Sequence, residues 1–311
     1  MEQLSREAFA RARRFILTQG RPLERALFGS RFEGAAIEQV LDELARFQNE
    51  DGGFGRALEP DSRTPSSSAL ATGIGLRMLR ELDCLADHPM VGKAVAYLRT
   101  TYDKQVQGWR AVSPDTNSFP HAPWWHDEDG SLAQLFDEFR IIPRALILGS
   151  LHHFSTLVPV GWLEEVTEET VRYIEMVELL GEGGGSDLQY AISLAEAKNL
   201  PQHYAKRLEA RIREAIPSVV VRDSTQWDSY CITPLRAVSA PQSLGADLIQ
   251  DELQSHLDYQ ITRQTPEGSW KPTWSWGRTY PDVWSKVELE WCGHLTLEAL
   301  TQLNAFERIE A

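Results

Sequence analysis

Carboxylates that could move a proton and aromatic rings that could hold an apolar or sugar-like ligand lie side by side at several points of this chain. Asp228 stands in the run Trp227-Asp228-Ser229-Tyr230-Cys231, and Glu288 and Glu290 stand in Lys286-Val287-Glu288-Leu289-Glu290-Trp291. A positioned carboxyl group serves as general acid or base, so Asp228, Glu288 and Glu290 are the candidate catalytic residues. Tryptophan and tyrosine faces attract cationic character and line small-molecule pockets. Most of the ten tryptophans fall in two loops or beside Asp228 and Glu290. The loop at 104–134 carries Trp109, Phe119, Trp124, Trp125, His126, Asp127 and Asp129; the loop at 265–287 carries Trp270, Trp274, Trp276, Tyr280, Asp282 and Trp284. Charged groups follow each loop, with Asp137, Glu138, Arg140 and Arg144 after the first and Lys286, Glu288 and Glu290 after the second. Glu59-Pro60-Asp61 adds a third acidic turn. The candidate binding residues are therefore Trp124, Trp125, His126, Arg140, Arg144, Trp227, Tyr230, Trp274, Trp276, Trp284 and Trp291. His121, His126, His152 and His153 read as solvated loop or helix ends.

Elements must bring these residues together. The chain has 311 residues, 42% of them apolar, enough to fill a sizeable core. Acidic residues outnumber basic ones 45 to 31, a formal charge of −14, which disfavours nucleic acid as a partner. No apolar run reaches the length of about 20 residues that a spanning helix needs, and the N-terminus has no secretory pattern. Three scattered cysteines suit a reducing compartment, so a cytoplasmic location is expected.

A repeat supplies the framework. Gln48-Asn49-Glu50-Asp51-Gly52-Gly53-Phe54 and Gln264-Thr265-Pro266-Glu267-Gly268-Ser269-Trp270 share the pattern Q-x-x-[DE]-G-x-[FW], and a looser copy ends at Trp109. Phe54 and Trp109 are 55 residues apart, and Phe54 and Trp270 are 216 apart, four periods of 54. Each full copy follows a one-sided amphipathic stretch, with Ile37, Val40, Leu41 and Leu44 on one face in the first and Leu253, Leu257 and Ile261 in the last. A helix of different character comes next; Ser66-Ser67-Ser68 offers N-cap oxygens to a stretch that is small and apolar nearly all round. Outer and inner helices are expected at 34–50 with 67–84, 90–103 with 135–155, 161–180 with 185–198, 202–216 with 228–240, and 246–264 with 284–307, plus one at 4–18. Ser218-Val219-Val220-Val221-Arg222, the single β-branched run, reads as a connection, and the glycine-rich 181–186 as a turn.

The two Q-x-x-[DE]-G-x-[FW] turns resemble the glutamine-tryptophan repeats of squalene-hopene and related terpenoid cyclases, and the similar repeats of protein prenyltransferase β subunits. That resemblance implies an all-α chain, an α/α toroid of five to six helical hairpins with inner and outer rings, as one domain over 1–311. It also implies that the glutamine bonds a helix end and that inner-helix starts open on one end of a cavity.

The family's chemistry carries over only in part. At the place of the cyclases' acidic motif the first repeat has Thr64-Pro65-Ser66-Ser67-Ser68-Ala69, with no carboxylate. The last repeat has Glu288 and Glu290 there, in what is expected to be a first helical turn, where carboxylates also suit capping. The prenyltransferase zinc ligands are an Asp, a Cys and a His. Asp228, Cys231, Cys292 and His294 have the right types but sit out of register, and neither metal nor cofactor is expected. Two function classes remain. One is an enzyme or carrier for an isoprenoid-like or other apolar small molecule in an aromatic-lined cavity, with Glu288 or Asp228 as acid. The other is a glycan-active or glycan-binding toroid with paired carboxylates and stacking tryptophans. A non-catalytic scaffold is the third possibility.

Overall fold

A computed structural model describes residues 2–105, 107–127, 141–177 and 186–310. Among these residues the chain is all-α, with twelve α-helices, five short 3-10 turns and isolated β-bridges in place of strands. None of these helices is long and apolar enough to cross a membrane. Two compact units are present. The first comprises 2–43 and 216–310, the second 44–177 and 186–215.

In the first unit α1 (Arg6–Gln19), α2 (Pro22–Phe32) and the 25-residue α12 (Pro281–Ala305) pack together. Ser5 caps α1 by accepting from the Ala8 amide at 3.2 Å. Pro22 starts α2, a helix the hydropathy pattern did not signal, with its fixed φ at N1. The unit continues with α10 (Pro234–Ala237) and α11 (Gln250–Thr262).

Helix α3 (Ile37–Ala45), with Val40 and Leu44 buried, belongs to the first unit as far as Glu43, and the second unit begins at Leu44. There α4 (Ala69–Glu81) lies against α6 (Ile141–His153), which in turn meets α8 (Ser186–Ala195). Both α4 and α6 are buried on most sides, as their all-round small and apolar composition predicts. A Cβ on Gly73 would stand 3.0 Å from Leu146 Cδ2, so the glycine permits the close approach of α4 to α6. The one-sided helices α5 (Pro89–Thr100), α7 (Val160–Met176) and α9 (Gln202–Val219) match expectation to within a few residues.

The two repeat turns are built alike, each within its own unit. Gln48 Nε2 donates to Gly52 O at 2.9 Å and to Met90 O in α5 at 3.0 Å. Gln264 Nε2 donates to Gly268 O at 3.2 Å and to Ala8 O in α1 at 2.8 Å. Both glycines have positive φ, +90° and +100°, and a Cβ would lie 2.5 Å from Lys93 O or from Arg11 O. Only glycine suits a left-handed turn pressed against helix backbone. The aromatic amides bond equivalent threonines, Phe54 N to Thr72 Oγ1 at 2.9 Å and Trp270 N to Thr296 Oγ1 at 3.1 Å.

That equivalence corrects two expectations. With Thr72 matched to Thr296, the α4 N-cap Ser68 matches Cys292, yet α12 begins eleven residues before Cys292, at Pro281. Glu288 and Glu290 are therefore interior helix residues, and Asp282 holds the first-turn position. Of the expected helix at 228–240 only α10 forms, preceded by a 3-10 turn at Ser224–Gln226. Pro234 explains the loss, because it forces Thr233 into extended backbone, φ −75° and ψ 160°, and leaves Asp228 and Cys231 in an irregular segment. Residues 181–185, and with them most of the glycine-rich stretch, lie outside the described residues, as do Glu128, Asp129, Asp137, Glu138 and Arg140.

Candidate functional site

In the first unit three separate segments converge on one aromatic array. Tyr230, from the irregular segment before α10, meets Trp274, from the loop after the repeat turn, at 5.9 Å between ring centroids. Trp274 meets Trp291 on α12 edge-to-face at 5.0 Å, and Trp291 meets His294 one turn on at 5.5 Å. Such edge-to-face pairs are favourable by about 0.5–1.5 kcal/mol each beyond the area they bury. Trp274 and Trp291 are only half-buried and Tyr230 is 47% exposed, so the array is open to a ligand. Arg236 stands 4.5 Å over the Tyr230 ring, and its Nη2 donates to the phenolic oxygen at 3.0 Å.

Three acidic residues neighbour these rings in sequence, and their surroundings differ. Glu288 is half-buried and, after burial itself, is the main cause that pushes the Cys292 thiol up to about 11, with Lys271 opposing. Glu290 is buried and stands 4.0 Å from Lys286 Nζ. Two positions apart inside a helix, the glutamates diverge by about 200° and cannot face one ligand as a pair. Asp228 is exposed, but its Oδ1 accepts from the Tyr259 hydroxyl at 2.8 Å and contacts the Arg263 guanidinium, both on or just after α11. It is tied down as an anchor for its segment, which disfavours the proton-donor role expected of it.

Two tryptophans have structural duties. Trp227 is buried, donates from Nε1 to Val221 O at 2.8 Å, and packs its ring on His256 and Tyr259 of α11. Burial holds that histidine near 3, so it stays neutral. Trp276 is 1% exposed and packs against Tyr280 and the half-buried Trp284, which fixes the loop before α12.

The remaining described candidates belong to the second unit. Trp124 is half-buried and Trp125 buried, in the 3-10 turn Pro123–Trp125, and His126 follows, exposed. His126 Nδ1 lies 2.9 Å from His121 Nε2 with the rings parallel to within 7°. His121 is 1% exposed, and its Nδ1 donates to Phe119 O at 2.6 Å, so it is an interior residue and not a solvated loop end. Arg144 is buried with Nη2 3.6 Å from Glu169, which also accepts from Tyr102 and Gln107. His152, too, is buried; its Nε2 donates to Thr167 Oγ1 at 2.9 Å, and burial lowers its pKa to about 4. The apolar face of α6 explains this placement.

Arg236, Arg263, Tyr259 and Lys271 are the residues that sequence reasoning missed, and His294, weighed there only as a metal ligand, joins the aromatic array instead. Tyr259 and Arg263 are spaced i, i+4 and so share a helical side; nothing in the sequence connects them with Asp228. Among the described residues no three His, Cys, Asp or Glu side chains gather as a metal site, and Asp228, Cys231, Cys292 and His294 form no such set. No known family matches the chain, and no curated protein is similar to it.

Proposed function

We propose that the protein binds, and transforms by acid catalysis, a small molecule with a largely apolar, isoprenoid-like body, held on the Tyr230, Trp274 and Trp291 rings. The observation that carries this reading is the convergence of these partly open rings from three segments remote in sequence. Glu288, half-buried on the same helix as Trp291, is the acid in this reading. Ring faces would stabilise positive charge developing on the substrate. Glycan hydrolysis by Glu288 and Glu290 is disfavoured by their divergence on α12, since that chemistry needs two carboxyl groups flanking one bond.

The reading includes an α/α toroid like those of the cyclases and prenyltransferases that the turns resemble. What supports it is the second role of α1, which meets the Gln264 turn as α5 meets the Gln48 turn. The scattered free cysteines support a cytoplasmic location.

The test is tryptophan fluorescence during titration with farnesol, farnesyl diphosphate and cello-oligosaccharides, in wild type and Trp291→Ala. Saturable quenching by an isoprenoid, lost in the variant, is expected. Saturation by the oligosaccharide alone would transfer the site to the glycan class, and no saturable response would remove the proposal.

A further inference from the structure

In the second unit the C-terminal ends of α4, α6 and α8 bring three basic side chains together. Arg80 lies in the last turn of α4, His153 is the last residue of α6, and Lys198 follows the end of α8. Hydrogen bonds hold these ends to one another. Arg80 Nη2 donates to Ser193 Oγ of α8 at 3.3 Å, and Asn199 Nδ2 donates to His152 O and His153 O of α6 at 3.2 and 3.4 Å. Lys198 is the chain neighbour of that asparagine. Gly149 of α6 leaves room for the guanidinium, since a Cβ there would stand 3.0 Å from Arg80 Nη1.

Cations at helix C-termini ordinarily serve the last carbonyls. Here those carbonyls are bonded already, by backbone amides beyond α4 and α8 and by Asn199 beyond α6. Arg80 is half-buried, and burial is the first cause that lowers its pKa, so its charge is held at a cost. A guanidinium has five N–H donors, yet the Ser193 contact is its one side-chain hydrogen bond among the described residues, and it forms no ion pair there. Its unbonded nitrogens reach solvent and are therefore open to a ligand. Half-buried His153 is lowered by burial, then by Arg80 and Lys198, which places both cations near its ring and keeps it neutral at pH 7. The carboxylates that act on this group, Glu81, Asp83 and Glu196, are all exposed, and Glu81 is paired with Arg77 at 3.6 Å.

We propose that Arg80, Lys198 and His153 bind a single phosphate group, free or carried by a small ligand. The planar fork of Arg80 presents paired N–H groups to two oxygens of a tetrahedral oxyanion, and the Lys198 ammonium is a point charge for a third. A neutral imidazole adds one N–H donor. Two fixed positive charges match a dianion, whereas a carboxylate leaves one of them unbalanced and has no third oxygen. Asp83 and Glu196, with the formal charge of −14, disfavour a polyanion such as nucleic acid, so the site suits one phosphate and not a chain of them. This site is argued independently of the aromatic array in the first unit.

The experiment follows backbone amide shifts of residues 193–199 in the full chain by NMR, at constant ionic strength and about pH 8, on titration with inorganic phosphate, glycerol phosphate and acetate. Saturable shifts with both phosphates are expected, with acetate about tenfold weaker or more. The tighter of the two phosphates tells whether the free ion or an ester is the ligand. Arg80→Gln is expected to lose saturation and Lys198→Gln to weaken it about tenfold. Arg80→Gln removes a half-buried charge that has no ion pair, so its melting temperature stays level or rises. Lys198 is exposed, so Lys198→Gln keeps the fold and tests the site by itself. Trp291→Ala, in the other unit, should leave phosphate binding unchanged. Linear, non-saturating shifts would overturn the proposal, as would acetate binding as tightly as phosphate or wild-type affinity in either Arg80→Gln or Lys198→Gln.

Discussion

On α12 the Thr296 hydroxyl accepts a hydrogen bond from the Trp270 amide at 3.1 Å and donates to Cys292 O at 2.6 Å, which ties the second repeat turn to the helix that carries Glu288, Glu290 and Trp291. Thr72 does the same for Phe54 in the first turn. Thr296→Val leaves a buried amide unbonded and is expected to cost about 1–3 kcal/mol, read from urea unfolding. Thr72→Val should lose a similar amount. A cost near zero in both would deny these threonines their part in the repeat.

Trp276 and Trp291 should separate structure from binding. Trp276→Ala removes a fully buried ring and is expected to destabilise by about 3–5 kcal/mol. Trp291→Ala, at a half-buried position, is expected to cost less than half as much and to weaken binding of an isoprenoid probe about tenfold. Thermal melts and fluorescence titration of both variants check the contrast, and the reverse pattern would move the site away from α12.

Asp228 and Glu288 are also expected to differ. Asp228→Asn gives up an exposed pairing with Arg263, for which about 0.2–1 kcal/mol is usual, and should leave most turnover intact. Glu288→Gln should abolish turnover while the helical circular dichroism stays unchanged. Equal losses in the two variants would restore Asp228 to the chemistry.

Buried titrating groups predict opposing pH effects on stability. His152 is lowered to about 4 by burial, from an ordinary value near 6.5, so the unfolded chain takes up its proton first. Its contribution is complete above about pH 6.5 and is lost as pH falls toward 4, on the order of 3 kcal/mol at about 1.4 kcal/mol per unit. His256, near 3, acts in the same direction in the other unit. Asp187 is raised to about 7 by burial, so its contribution is present at low pH and is lost as pH rises from about 4 to 7. His152→Gln should therefore flatten the loss on acidification, and Asp187→Asn should flatten the loss on the alkaline side. Urea unfolding between pH 4 and 7.5 measures both; an unchanged profile in either variant would remove that residue from the account.

The sequence by itself determined most of the helices, the repeat turns and the burial of α4 and α6, but it gave no sign of α2 and placed at 228–240 a helix of which only Pro234–Ala237 forms. Period-3.6 apolar spacing, serine caps, and the glycine and aromatic of Q-x-x-[DE]-G-x-[FW] are local signals, and local backbone preference is strong enough to act on them. Even the loss of the helix at 228–240 had a local sign in Pro234. Tertiary structure alone decided what each candidate side chain does. Trp227 and Trp276 became packing, Asp228 became the partner of Tyr259 and Arg263, and Glu288 and Glu290 diverged because α12 starts a full three turns ahead of its counterpart α4. Contacts between residues tens or hundreds of positions apart depend on how helices pack, and no spacing along the chain encodes them directly.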